Sequence, residues 1–264
     1  MPFLDHQGHR LHYLDIDNRP NPSRGFPIVF VHGAGTSHLI WSMQMEEFSK
    51  THRVVVPDLL GHGLSDEVSD DADIETGYVA EIATLLEHLD LRDFVIVGHS
   101  MGGAVTMAYT LNRKLRQPRA IALVCTSPDL ETSRILPGLA VESFESYLAI
   151  AVSHLTGIHS NVYKIRMKER ALGKSESETV GRDLKACDRF DITSRVCDIE
   201  VPTFVICGED DDVFPPGIAQ ALNRMLPHSD IAIIKKGDHT PMVDMPEIFN
   251  PLLRKFLVWV EKSA

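Results

Sequence analysis

Phe94-Val95-Ile96-Val97-Gly98-His99-Ser100-Met101-Gly102-Gly103-Ala104-Val105 runs from a short apolar, β-branched stretch through Gly-x-Ser-x-Gly into a helical pattern. A serine on so sharp a strand-to-helix turn needs small residues two positions to either side, because larger side chains would collide as the backbone folds back. Gly98 and Gly102 meet that need. Such a turn lifts the Ser100 hydroxyl above the sheet edge and leaves the Met101 N–H, at a helix start, facing any negative charge that develops beside it. The pentapeptide alone also fits a plain glycine-rich connection; the strand before it and the helix after it favour a nucleophile.

The same strand-then-helix rhythm extends outward in both directions. Leu4 to Gln7 and Leu11 to Leu14 flank Gly8 and read as a hairpin. Buried-strand candidates follow at Pro27 to Val31, Arg53 to Val56, Phe94 to Val97, Ile121 to Cys125, Thr203 to Cys207 and Ile231 to Ile234. Helix candidates lie around Trp41 to Phe48, Thr76 to Leu89, Gly102 to Leu111, Gly217 to Leu226 and Pro246 to Val260. Regular alternation of this kind predicts an α/β protein with a mostly parallel, doubly wound sheet flanked by helices. The rhythm breaks over 129–198, which reads as a helical cap inserted into a core domain made of 1–128 and 199–264. In the cap, Leu136, Ala140, Phe144, Leu148 and Val152 form one apolar helical stripe. The stripe either packs on the core or, at Phe144, lines a substrate pocket.

A serine hydroxyl is a poor nucleophile unless an imidazole takes its proton and an acid orients that imidazole. The polar loop Lys235-Lys236-Gly237-Asp238-His239-Thr240-Pro241-Met242 follows the last strand candidate and holds one histidine, His239. Three consecutive aspartates, Asp210, Asp211 and Asp212, follow the strand that ends at Cys207.

These segments together resemble the α/β-hydrolase superfamily, and the likeness covers nearly the whole chain outside the cap. The resemblance implies the chain order nucleophile, acid, histidine, and so Ser100, an aspartate and His239. Its Gly-x-x-Asp-x-x-x-Pro spacing selects Asp211, between Gly208 and Pro215; Asp210 competes, because Pro216 fits the same spacing shifted by one. In His32-Gly33-Ala34-Gly35 the family places its second oxyanion donor, here the Ala34 N–H beside that of Met101. Asp58-Leu59-Leu60-Gly61-His62-Gly63-Leu64-Ser65 resembles a structural loop of the family, with His62 in a packing role and His32 bracing its own turn. His38 and Trp41 are candidates for the substrate pocket.

The resemblance implies a serine hydrolase of the carboxylesterase kind, acting on small to medium esters without a metal or organic cofactor. It equally admits thioester, lactone and carbon-carbon bond hydrolysis, peroxide-dependent chemistry on the same triad, or a ligand receptor that turns over slowly. The 264 residues are 44% hydrophobic and 24% charged, enough to bury a substantial core. A formal net charge of −11 repels phosphate backbones and argues against nucleic-acid partners. No apolar run approaches the roughly 18–20 residues of a membrane span, and the first residues show no basic-then-apolar leader. A cytoplasmic monomer or homodimer with a small-molecule ester as its partner is expected. The four cysteines lack zinc-ligand spacing and read as buried free thiols.

Overall fold

The computed structural model describes residues 2–22, 25–68, 72–131 and 177–263. Phe3–His6 (β1) and His9–Ile16 (β2) form an antiparallel hairpin. Its two turn residues, Gln7 and Gly8, both take positive φ, 55° and 88°, as a tight hairpin turn requires. The runs Ile28–Val31 (β3), Val54–Pro57 (β4), Val95–His99 (β5), Ala120–Val124 (β6) and Thr203–Gly208 (β7) are buried throughout. Burial on both faces is what parallel strands between helix layers need, and β-branched side chains suit them. Ser229–Ile234 (β8) closes the sheet as a half-exposed edge.

The sheet runs β1-β2-β4-β3-β5-β6-β7-β8, with β2 antiparallel to β4 and every later pair parallel. Helices Ser42–Phe48 (α1), Val79–His88 (α2), Met101–Leu111 (α3), Ser177–Asp188 (α4), Pro216–Met225 (α5), Pro241–Asp244 (α6) and Pro246–Lys262 (α7) surround it. Helices α2 and α3 pack together, and a 3-10 turn at Thr193–Asp198 bridges α3 and α5 on that side; α1, α6 and α7 pack together elsewhere. The strand candidates all form, with ends shifted slightly. The helix expected around Trp41 to Phe48 divides into a tight turn at His38–Trp41 and then α1, because Trp41 is drawn fully into the core against Phe30 and Phe249.

Strand order places the site. The chain moves from β3 outward to β4 and then returns past β3 to β5, so the winding direction reverses between β3 and β5. Loops leaving the carboxyl ends of two such strands splay apart and leave a crevice between them. His32 to Gly35 leave β3 and Ser100 leaves β5, one on each side of that crevice.

At the insertion, the outgoing and returning chains are stitched: Ile192 N–H donates to Pro128 O at 2.9 Å and Leu130 N–H to Phe190 O at 3.2 Å. The apolar stripe with Phe144 lies outside the described residues. The turn Thr193–Asp198 buries Val196 against the core helices, although the sequence alone groups it with the insertion. All four cysteines are free thiols; Cys125, Cys187 and Cys207 are buried, whereas Cys197, on that surface turn, is exposed, contrary to expectation. Among the described residues no helix is long and apolar enough to cross a membrane.

A Cβ added to Gly98 would stand 2.2 Å from Gly102 O and 2.4 Å from Thr106 Oγ1. Because the first obstacle is backbone, Gly98→Ala is expected to destabilise the fold by about 1–3 kcal/mol or more. Urea unfolding of the variant with a midpoint equal to wild type would contradict the close β5–α3 approach.

Candidate active site

Ser100 is the only break between β5 and α3, and it takes φ 52° and ψ −120°, a conformation that L-residues avoid. Surrounding bonds hold it there. Ser100 N–H donates to Val124 O at 2.9 Å, and Ser100 O accepts from Gly103 N–H at 2.8 Å and Thr126 Oγ1 at 2.8 Å. The half-buried side chain is thereby presented at the end of the central strand. Its hydroxyl makes no hydrogen bond within the described residues. The Met101 N–H begins α3, where amides have no partner inside the helix.

The structure brings His239 against His99, the neighbour of Ser100 in the chain, with no hydrogen bond between its ring and the Ser100 hydroxyl. His99 donates its Nε2–H to His239 O at 2.9 Å. The two imidazole rings tilt against each other with centroids 4.8 Å apart. Burial and the neighbouring His239 charge push the His99 pKa down to about 3, so His99 stays neutral and acts as a spacer.

His239 Nδ1 stands 3.1 and 3.2 Å from the two carboxylate oxygens of Asp211. The loops carrying them are tied by Asp210 N–H to Gly237 O at 2.8 Å and Glu209 N–H to Ile234 O at 2.9 Å. Asp211 also accepts the amides of Val213 and Phe214 at 3.0 and 2.9 Å. Burial pushes its carboxyl up, but the His239 charge and hydrogen bond and the Phe214 amide hold it below the usual carboxylate range. Asp210 is exposed, and the carboxylate that meets His239 belongs to Asp211. With Nδ1 bound to an anion, the imidazole keeps Nε2 as its basic nitrogen.

On the other side of the crevice, a Cβ at Gly33 would lie 3.1 Å from Ser100 Cβ, so the loop after β3 rests directly on the serine. The Gly33 carbonyl is held by His32 Nδ1 at 2.9 Å, Thr36 Oγ1 at 2.8 Å and Thr36 N–H at 3.3 Å. A trans peptide points its C=O and N–H in opposite directions. Pinning Gly33 O therefore aims the Ala34 N–H away from that cluster, and Ala34 itself is half-buried at the crevice.

The remaining sequence candidates have other engagements. His38 places Nδ1 at 2.8 Å from Asp58, which also binds His12 Nδ1 at 2.8 Å and the Leu64 amide at 3.0 Å. Trp41 is enclosed, edge-on to His99 at 6.4 Å between centroids. His32 braces its loop as expected, accepting the Leu59 amide at Nε2 at 3.1 Å. His62, read as a packing residue, forms a fully buried pair with Asp183 at 2.8 Å.

Among the described residues, two groups of potential metal ligands converge. The first is His12, His38 and Asp58, where both Nδ1 atoms meet the carboxylate while the buried His12 Nε2 has no hydrogen-bond partner; the second is Cys125, Asp211 and His239. Cys125, which the sequence marked only as a free thiol, follows β6 with φ 47° and puts its thiol beside the Asp211 carboxylate and 3.9 Å from Asp238 O. Burial pushes that thiol well above its ordinary pKa, so it stays protonated, with its one proton directed at Asp238 O.

A strained serine at a helix start, beside an imidazole oriented by a buried carboxylate, can perform nucleophilic acyl transfer. The profile of the Alpha/beta hydrolase family matches residues 28–252. A non-heme chloroperoxidase of Burkholderia pyrrocinia is 31% identical over 218 residues, 74% of this chain and 77% of that protein. Est816, an N-acyl homoserine lactone degrading enzyme, superposes with TM-score 0.81 at 25% identity, over 97% of this chain and 100% of its own. A thermophilic esterase from Thermogutta terrifontis superposes with TM-score 0.83 at 25% identity, over 98% and 97% of the two chains.

Two outcomes follow from the geometry. Asp211→Asn is expected to lower turnover by about 10³ or more, as loss of a triad acid does, while Asp210→Asn stays near wild type; equal losses in steady-state assays would reject the assignment. Beside the site, buried Glu81 accepts the Leu60 amide at 2.8 Å, and burial raises its pKa from 4.5 to about 7. The folded state thus binds a proton that the unfolded chain releases above pH 4.5, and stability falls as pH rises toward 7. Glu81→Gln should gain about 1–3 kcal/mol over wild type at alkaline pH and little in acid; parallel urea curves across the range would show otherwise.

Proposed function

We propose, since the chain belongs to the Alpha/beta hydrolase family, that it hydrolyses small to medium carboxylic esters through an acyl-enzyme on Ser100. The observation that carries this reading is the buried Asp211–His239 pair set beside the strained turn of Ser100. His239 Nε2 removes the hydroxyl proton as Ser100 Oγ bonds to the ester carbonyl carbon. The carbonyl electron pair moves onto oxygen, where the amides of Met101 and Ala34 receive it. Collapse breaks the bond to the leaving alcohol, which takes the proton from His239. Water, deprotonated by the same imidazole, then attacks the acyl carbon, and the carboxylic acid leaves as Ser100 recovers its proton.

Asp211 supports these steps by keeping the proton on Nδ1 and stabilising the imidazolium when it forms. No step calls on a metal or an organic cofactor. Lactones are esters closed on themselves and pass through the same intermediate, and the likeness to Est816 supports including them among the substrates. The chloroperoxidase likeness supports a peroxide arm in any assay, since peroxide replaces water in attack on the acyl-enzyme.

A fluorophosphonate is expected to label Ser100 alone, and Ser100→Ala to lower turnover of nitrophenyl esters by at least about 10³ with the fold intact. Graded acyl chains should show a maximum at short to medium length over many turnovers. Labelling at a different residue, or near-normal hydrolysis by Ser100→Ala, would remove the serine from the mechanism. A single slow turnover with retained product would instead make the chain a receptor.

A further inference from the structure

Asp183 lies on α4, the helix that leads back from the insertion, far in sequence from every residue of the crevice. It is nevertheless fully buried against the oxyanion side of the site. Its Oδ2 accepts the Gly35 N–H at 2.8 Å and His62 Nε2–H at 2.8 Å, and its Oδ1 accepts the Tyr78 hydroxyl. His62 also directs Nδ1 at Leu60 O, 3.1 Å away, so both ring nitrogens face acceptors and the ring is held as a cation. Burial opposes ionisation of Asp183, yet His62, Tyr78 and the Gly35 amide keep its carboxyl below the usual range. The helix is anchored nearby by Arg182, which donates to Leu60 O and Val68 O, and by Thr179 Oγ1 to Gly61 O at 3.2 Å.

We propose that Asp183 is a positioning residue through which the insertion sets the geometry of the oxyanion loop. The loop His32 to Gly35 has two fixing points. One is the Gly33 carbonyl, held from within the core by His32 and Thr36. The other is the Gly35 amide, at φ 62°, held by Asp183. Between them lies Ala34, whose N–H shares a rigid plane with the Gly33 carbonyl; the first point sets its direction, and the second keeps the loop that carries the plane from shifting. Free Gly35, and the loop is anchored on one side only, so the Gly33–Ala34 plane can tilt as a unit and carry the donor off its line. A misplacement of about 1 Å costs on the order of 100-fold in such sites. The inference rests on the acyl-enzyme reading above, with Ala34 as one oxyanion donor.

Asp183→Ala removes the acceptor, whereas Asp183→Asn keeps an oxygen where Gly35 and His62 need one and offers its NH2 to the Tyr78 hydroxyl. The expected result is a kcat on oxygen esters about 10- to 100-fold lower for Asp183→Ala, with KM little changed, and substantial recovery in Asp183→Asn. Turnover of the matching thionoester should fall far less, because a sulfur anion is a weak acceptor and gains little from a well-aimed N–H. The oxygen-to-sulfur rate ratio thus separates a misaligned donor from a generally loosened structure. If Asp183→Ala strands the His62 charge and fails to fold, Asp183→Ala with His62→Gln removes both charges and carries the same readout. An unchanged oxygen-to-sulfur ratio in whichever of these folds, or an equal kcat loss in Asp183→Asn and Asp183→Ala, would overturn the proposal. Fluorophosphonate labelling is run alongside: wild-type Ser100 unlabelled overturns the acyl-enzyme reading and this inference together, whereas Ser100 labelled with an unchanged ratio overturns the inference alone.

Discussion

Everything in the crevice depends on a backbone conformation that Ser100 would not adopt by itself. At φ 52° and ψ −120° the chain turns from β5 into α3 within one residue. Non-glycine residues in sparsely populated regions of this kind cost on the order of 1–3 kcal/mol and persist only where the surroundings over-determine them. Here the surroundings are the β6 carbonyl of Val124, the Thr126 hydroxyl and the first turn of α3, all bonded to the Ser100 peptide groups. Glycines at 98 and 102 let β5, α3 and the end of β3 come close enough for those bonds to form.

Around that turn the fold repeats one device. Three buried carboxylates, Asp58, Asp183 and Asp211, each face an imidazole and backbone amides at the carboxyl ends of the strands. A loop leaving a strand carries amide groups with no ladder partner, and leaving them buried and unpaired costs about 1–3 kcal/mol each. A carboxylate accepts several N–H groups at once and supplies what the ladder no longer can. Asp58 holds the His38 and Leu64 amides, Asp183 the Gly35 amide, and Asp211 those of Val213 and Phe214. One of the three faces the imidazole beside Ser100. The other two hold the loops that form the opposite wall.

Much of this was legible in residue order. Apolar β-branched runs and intervening helical patterns predicted the strands and their parallel pairing, because a strand buried on both faces leaves no room for polar alternation. Gly98, Ser100 and Gly102 announced the sharp turn, and the lone histidine after β8 announced His239. The choice between Asp210 and Asp211 was open in the sequence, since both precede a proline at suitable spacing. Only side-chain direction separates them: Asp211 points inward and Asp210 outward. His38 and Trp41 were drawn toward the pocket by nearness in sequence to the loop after β3, yet one ring is tied to Asp58 and the other is enclosed in the core.

Local pattern by itself determined the layers of this protein and singled out a serine and a histidine, because those follow from periodicity and from the steric demands of one turn. Tertiary structure alone decided which carboxylate meets which ring, that Cys125 lies beside Asp211, and that Asp183 reaches Gly35 across 148 positions of chain. Contacts of that kind depend on helix placement and side-chain direction after the core has closed, and an isolated aspartate in a helix carries no trace of them.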